Sequence, residues 1–156
     1  MTKFADIETL LPHQVPMILI DKVIDVTELT IHCQVQISDS GGFFDPQINA
    51  VPAWVGIEFM AQTVAAWSGY HASLKGQVSP IGFLLGSRCY NSECSDFPLG
   101  IILDIFAEQV VKNEGLGAFA CTIECNGKAL ASSQLNVFVP AQDKLQKMLQ
   151  KNRNKE

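Results

Sequence analysis

Between Asp45 and Lys75 the chain carries one formal charge, Glu58, set among Trp54, Ile57, Phe59, Met60 and Ala61. A carboxyl group in apolar surroundings tends to stay protonated or to find a partner, because a lone buried charge is costly. Held that way it can give or take a proton, which is general acid or base chemistry. The competing reading is a Glu in the first turns of a helix, stabilised by the helix dipole or turned toward water. Composition alone leaves both open.

The element that must position Glu58 is a long helix. Trp54 to about Leu74 is rich in Ala, has no internal Pro, follows Pro52 and runs out at Lys75-Gly76. Ile57, Met60, Val64 and Trp67 form one apolar stripe, with Val55, Phe59, Ala66 and Tyr70 elsewhere, so the helix is expected to be buried all round. Around it the chain reads as strands. Pro16–Val26 opens as an apolar run, and Glu28–Ile37 alternates apolar with polar. Ser38–Ala50 is a loop by its Ser, Gly and Asp-Pro content. Ile81–Cys89, Gly100–Val111, Leu116–Cys125 and Lys128–Val139 follow as strands, with 91–98 as a loop. Asn126-Gly127 is the clearest hairpin signal, since both residues tolerate positive φ in a type I′ turn. Asp6–Leu11 is a short helical turn, and Gln142–Glu156 a short amphipathic helix with a charged tail. The order predicts an α+β fold in which an antiparallel sheet wraps one helix, completed by a dimer that joins two sheets edge to edge.

At 156 residues, 47% apolar and 17% charged, the chain is one folded domain with a sizeable core. A net charge of −5 and no basic run before the tail argue against nucleic acid as a partner. Met1 to Asp6 meets an acid before any apolar run forms, unlike a signal peptide, and the central segment is too polar to span a bilayer. A cytoplasmic setting is expected. The five cysteines, 33, 89, 94, 121 and 125, are expected to be reduced and mostly buried. Cys121 and Cys125 stand about 13 Å apart at strand rise, too far to share a metal.

Three stretches resemble a known family. Leu10-Leu11-Pro12-His13-Gln14-Val15-Pro16-Met17-Ile18-Leu19-Ile20-Asp21-Lys22-Val23 is similar to the opening of bacterial 3-hydroxyacyl-[acyl carrier protein] dehydratases. Pro52 to Gln62, with Pro52, Glu58, Met60, Ala61 and Gln62 in place, resembles their glutamate segment. The Asn-Gly hairpin and last strand keep the same layout, so the likeness spans roughly 8–140. The run Val51-Pro52-Ala53-Trp54-Val55-Gly56-Ile57-Glu58 is most similar to a divergent branch associated with aryl polyene pigment clusters.

The resemblance implies a hotdog fold over 1–140, with 141–156 as helix and tail. It implies an acyl thioester, on acyl carrier protein or CoA, in a tunnel at a dimer interface, and loss of water to give the trans-2-enoyl product. No cofactor or metal is implied. Glu58 would be one proton-handling group. The family's base is a His ahead of the glutamate, and here that position is Phe44, in a loop without His. Three candidates remain. His71 lies about 20 Å from Glu58 along the same helix. His32 alternates with core-facing Ile31 and Cys33 and so points outward. His13 is left as the second catalytic candidate, with Asp45 a weaker substitute; the alternative for His13 is a structural role in the N-terminal turn. Phe44, Asp45, Val51, Pro52, Ala53 and Trp54 are expected to line the substrate site. The Gly of the family is Ala53, whose backbone N–H would polarise the thioester carbonyl. A partner hotdog subunit supplying the missing His, in a heterodimer rather than a homodimer, and an acyl thioesterase are the alternative functions. A carrier protein is acidic, so Lys22, Lys75 and Arg88 are the scarce candidates for its dock.

Overall fold

The computed structural model describes residues 7–11, 18–76, 83–113 and 115–138. His13 and the expected C-terminal helix lie outside them. The elements in order are α1 (Ile7–Leu10), β1 (Lys22–Val26), β2 (Thr30–Gln36), β3 (Ala50–Pro52), a 3₁₀ turn (Ala53–Val55), α2 (Gly56–Leu74), β4 (Phe83–Ser92), β5 (Asp96–Pro98), β6 (Ile102–Asn113), β7 (Leu116–Cys125) and β8 (Lys128–Phe138). Six strands form one antiparallel sheet in the order β1-β2-β6-β7-β8-β4, curled on α2, and β3 pairs with β5 as a separate ribbon.

Alternation decides which face meets the helix. Ile31, Cys33 and Val35 of β2, Leu103, Ile105 and Ala107 of β6, and Phe119, Cys121 and Ile123 of β7 are all buried. They pack on Phe59, Met60, Val64 and Ala66 of α2. The helix stops at Lys75, and Gly76 takes φ 67°, the left-handed conformation that closes a helix C-terminus. Asn126 and Gly127 have φ 51° and 80°, as the type I′ hairpin requires.

Four expectations need correction. The apolar run before β1 is not strand over 18–21, because Leu19 sends its N–H to a helix side chain rather than to a neighbouring strand. The loop expected over 91–98 contains the end of β4 and all of β5, which finds its partner in the equally unforeseen β3. The helix is not buried all round. Trp54, Ile57, Glu58, Ala61, Ala65 and Ser68 form a face that this chain leaves half-exposed, and Trp54 is 62% exposed. Of the thiols, all free, Cys33 and Cys121 are buried, Cys94 and Cys125 half-buried and Cys89 exposed. Burial pushes both buried thiols up to about 12, with a hydrogen bond from Thr63 opposing the rise at Cys33.

Candidate active site

Glu58 sits in the first turn of the 19-residue α2, half-buried, at the positive end of the helix dipole. One turn on, on the same side of the helix, is Gln62, which is 1% exposed. Its Nε2 donates to Glu58 Oε1 at 3.3 Å, and its Oε1 accepts the backbone N–H of Leu19 at 2.7 Å. The predicted carboxylate therefore has a partner. The spacing of Gln62, one turn after the single formal charge of this stretch, is legible in the sequence, whereas its burial and its bond to Leu19 are not.

A cavity of about 270 Å³ opens beside this turn. Its apolar wall is Leu19, Val35, Ile37, Val51, Val55 and Phe59, and the exposed Ser40, Gly41, Gly42 and Phe43 border it. Val55 and Phe59 lie on either side of Glu58 in sequence, and Leu19 carries the N–H that holds Gln62. Cavity wall and carboxylate thus share one short stretch of helix and one tether.

The expected substrate-lining residues divide. Val51 is buried and lines the cavity. Trp54 stands exposed at the helix start with Phe43 edge-on to it at 5.7 Å. Phe44 is half-buried against the core. Asp45 closes a turn, since its Oδ1 accepts the Gln47 N–H at 2.9 Å and its backbone bridges Ala50. Pro52 is half-buried at the end of β3, opposite Asp96.

Ala53 corrects the expectation for a thioester-polarising amide. Its N–H donates to the Ser95 carbonyl at 3.1 Å, because that contact continues the β3–β5 ribbon into the helix start. Its own carbonyl accepts the Tyr90 hydroxyl. Burial pushes Tyr90 up to about 12, with the neighbouring Cys94 adding to the rise.

The two described histidines are engaged elsewhere. His71 Nε2 is 3.0 Å from the Thr27 carbonyl, so that nitrogen carries the proton, and its ring packs on Trp67 at 4.6 Å. His32 is on the outer sheet face as expected, yet half-buried. It bonds Asp104 at 2.7 Å and stacks on Phe106 at 4.2 Å. Of the basic residues considered for carrier docking, Lys22 and Arg88 lie on strands at opposite edges of the sheet, and Lys75 caps the far end of α2. Among the described residues no group of three His, Cys, Asp or Glu stands ready to hold a metal, and no helix is long and apolar enough to cross a membrane.

The ApeP-like family, described as ApeP dehydratase, matches residues 5–150. The chain is 26% identical over 132 residues to the 3-hydroxyacyl-[acyl-carrier-protein] dehydratase FabZ of Deinococcus radiodurans, across 83% of this chain and 88% of that one. Among solved structures it is similar to the dehydratase heterocomplex ApeI:P from Xenorhabdus doucetiae, with 32% identity, a TM-score of 0.86, and coverage of 94% of this chain and 99% of the other. A hypothetical thioesterase protein with coenzyme A from Streptococcus pneumoniae superposes with a TM-score of 0.60 at 13% identity, over 78% of this chain and 86% of that one. That last likeness is one of hotdog fold alone.

Proposed function

The chain belongs to the ApeP-like dehydratase family, and from that premise we propose that it removes water from a 3-hydroxyacyl thioester carried on an acyl carrier protein. A base takes one proton from C2, the C3 hydroxyl leaves with a proton as water, and the electron pair left on C2 forms the trans C2–C3 double bond. Charge collects on the thioester oxygen in between and favours nearby hydrogen-bond donors.

Glu58 is the proton-handling carboxyl in this proposal. The observation that carries it is the Leu19–Gln62–Glu58 chain of hydrogen bonds, tied through Leu19 to a cavity with one apolar wall. The acyl group lies along the wall at Val51, with Phe44, Asp45, Pro52, Ala53 and Trp54 around its approach. His13 is the second catalytic group. His13 lies outside the described residues, and its approach to Glu58 is part of the proposal. Turnover of a 3-hydroxyacyl thioester by purified protein is the test. Glu58→Gln should lower it by about 10²- to 10⁴-fold, the usual weight of a positioned proton donor or acceptor. Equal turnover by the two proteins would remove Glu58 from the mechanism.

A second reading has this chain as one half of a heterodimer whose other hotdog subunit brings the missing base. Two observations favour it: the half-exposed face of α2 that carries Glu58, and the similarity to a protein that forms a dehydratase heterocomplex. Co-purification with a second hotdog protein, and activity only in the mixture, would establish it. Full activity of the lone chain would exclude it.

A further inference from the structure

A helix that starts without a side-chain cap depends on other partners to hold its first turn. Neither Pro52 before the 3₁₀ turn nor Val55 before α2 gives a side-chain hydrogen bond to the helix start. Ala53 is gripped from a distant part of the chain instead. Its N–H donates to the Ser95 carbonyl at 3.1 Å, and its carbonyl, which also accepts the Gly56 N–H of its own turn, takes the Tyr90 hydroxyl. The same hydroxyl lies against the α-carbon of Gly56, where a β-carbon would collide with it. We propose that Tyr90 is a positioning residue for the dehydration: it fixes the turn from which α2 departs, and with it the place of Glu58 two residues beyond Gly56. This rests on the proton-handling role of Glu58 proposed above.

β4 is shaped to deliver that hydroxyl. It gains one residue on β8 between Arg88 and Asn91, a β-bulge, and Cys89 there takes φ 54°. Left-handed backbone is unfavourable for a residue with a β-carbon and persists only where its surroundings hold it. Here Asn91 Nδ2 donates to the Cys89 carbonyl at 3.0 Å. A bulge bends its strand and re-aims a side chain: Cys89 is exposed, and Tyr90 beside it is half-buried against the helix start. Burial pushes Tyr90 up to about 12, with Cys94 adding to the rise, so the hydroxyl remains a donor at neutral pH. A simpler role would be stability alone. In that case loss of the hydroxyl would lower Tm and leave the turnover of the folded protein untouched.

Tyr90→Phe keeps the ring and removes only the donor. Assayed well below its Tm, it should lose about tenfold in kcat with KM unchanged, the pattern of a displaced catalytic group rather than of weakened substrate binding. Tyr90 acts through Glu58, so in a Glu58→Gln background Tyr90→Phe should cost nothing further. Asp104→Asn, destabilised on the outer face of the sheet, should keep the parent's kcat. Three results, each beside a Glu58→Gln of lowered activity, overturn the inference and leave the proposed function standing. They are a Tyr90→Phe protein with the parent's kcat, the same loss with and without Glu58, and an equal loss in Asp104→Asn.

A readout without turnover keeps the two claims apart. In hydrogen exchange the backbone amides of Ile57, Glu58 and Phe59 should exchange about tenfold faster in Tyr90→Phe, while those of Val64 to Ala66 keep the parent's rate. First-turn amides that exchange as in the parent overturn the inference, whether or not the protein dehydrates the thioester. A parent protein without turnover, whose first-turn amides nonetheless respond to Tyr90→Phe, counts against the function and leaves Tyr90 as the clamp of the helix start.

Discussion

The backbone carbonyl of Leu10 rests on the α-carbon of Gly69, so closely that a side chain at 69 would overlap the Leu10 backbone. This is the point where α1 meets α2, and backbone cannot step aside as a flexible side chain can. Gly69→Ala should therefore destabilise by about 1–3 kcal/mol, the usual penalty of overpacking. At this chain length that lowers Tm by roughly 2–4 °C per kcal/mol. Gly86→Ala is the control, since nothing lies within 4 Å of a β-carbon there. Thermal unfolding of the two variants should separate them clearly.

Gly56 makes a second close contact, under the start of α2. A β-carbon there would collide with the Tyr90 hydroxyl and lie 3.0 Å from Ile123 Cδ1. Tyr90→Phe alone removes the hydrogen bond to the Ala53 carbonyl and should cost about 0.5–1.5 kcal/mol. Gly56→Ala should cost more in the parent than in the Tyr90→Phe background, where the colliding oxygen is gone. Denaturant melts of the four proteins give the coupling directly. Simple additivity would mean that the hydroxyl is not what keeps residue 56 a glycine.

On the outer face of the sheet, Asp104 accepts hydrogen bonds from Gln34 at 2.8 Å and from His32 at 2.7 Å. Burial by itself would raise its pKa, but those bonds and the His32 charge outweigh it and hold the carboxyl below its usual range. A folded-state pKa below the unfolded value means stability that is fully present above the ordinary Asp pKa and is lost as pH falls through the lowered one. Asp104→Asn should accordingly melt at a lower temperature than the parent near neutral pH. The two curves of Tm against pH should converge once the pH falls below the lowered value. Parallel curves down to acid pH would show that the network contributes shape rather than charge.

The sequence was most informative where one short stretch decides the structure. The Asn126-Gly127 turn needs only its own two backbones, and α2 announces itself by length, by Pro52 before it and by Gly76 after it. It was silent where the partner is distant. The β3–β5 ribbon is three residues on three, and nothing in Ala50–Pro52 points to Asp96–Pro98. The loss of the Ala53 amide to Ser95 follows from that same pairing, so it was equally hidden. Glu58 stood out as a lone charge, whereas the half-exposed face around it did not. Ile57, Ala61 and Ala65 are apolar, and apolar residues read as core whether or not their own chain covers them.

Leu19 has two jobs that cannot be altered separately. Its side chain is part of the hollow beside α2, and its amide is the anchor for Gln62. Under the proposed mechanism, reshaping the hollow at this position to admit a bulkier or slimmer guest would tug on the fastening of the carboxyl, so selectivity and speed would drift together. If the hollow holds the acyl group as proposed, retuning what it accepts is better done at Val35 or Val51, which line it without holding Gln62.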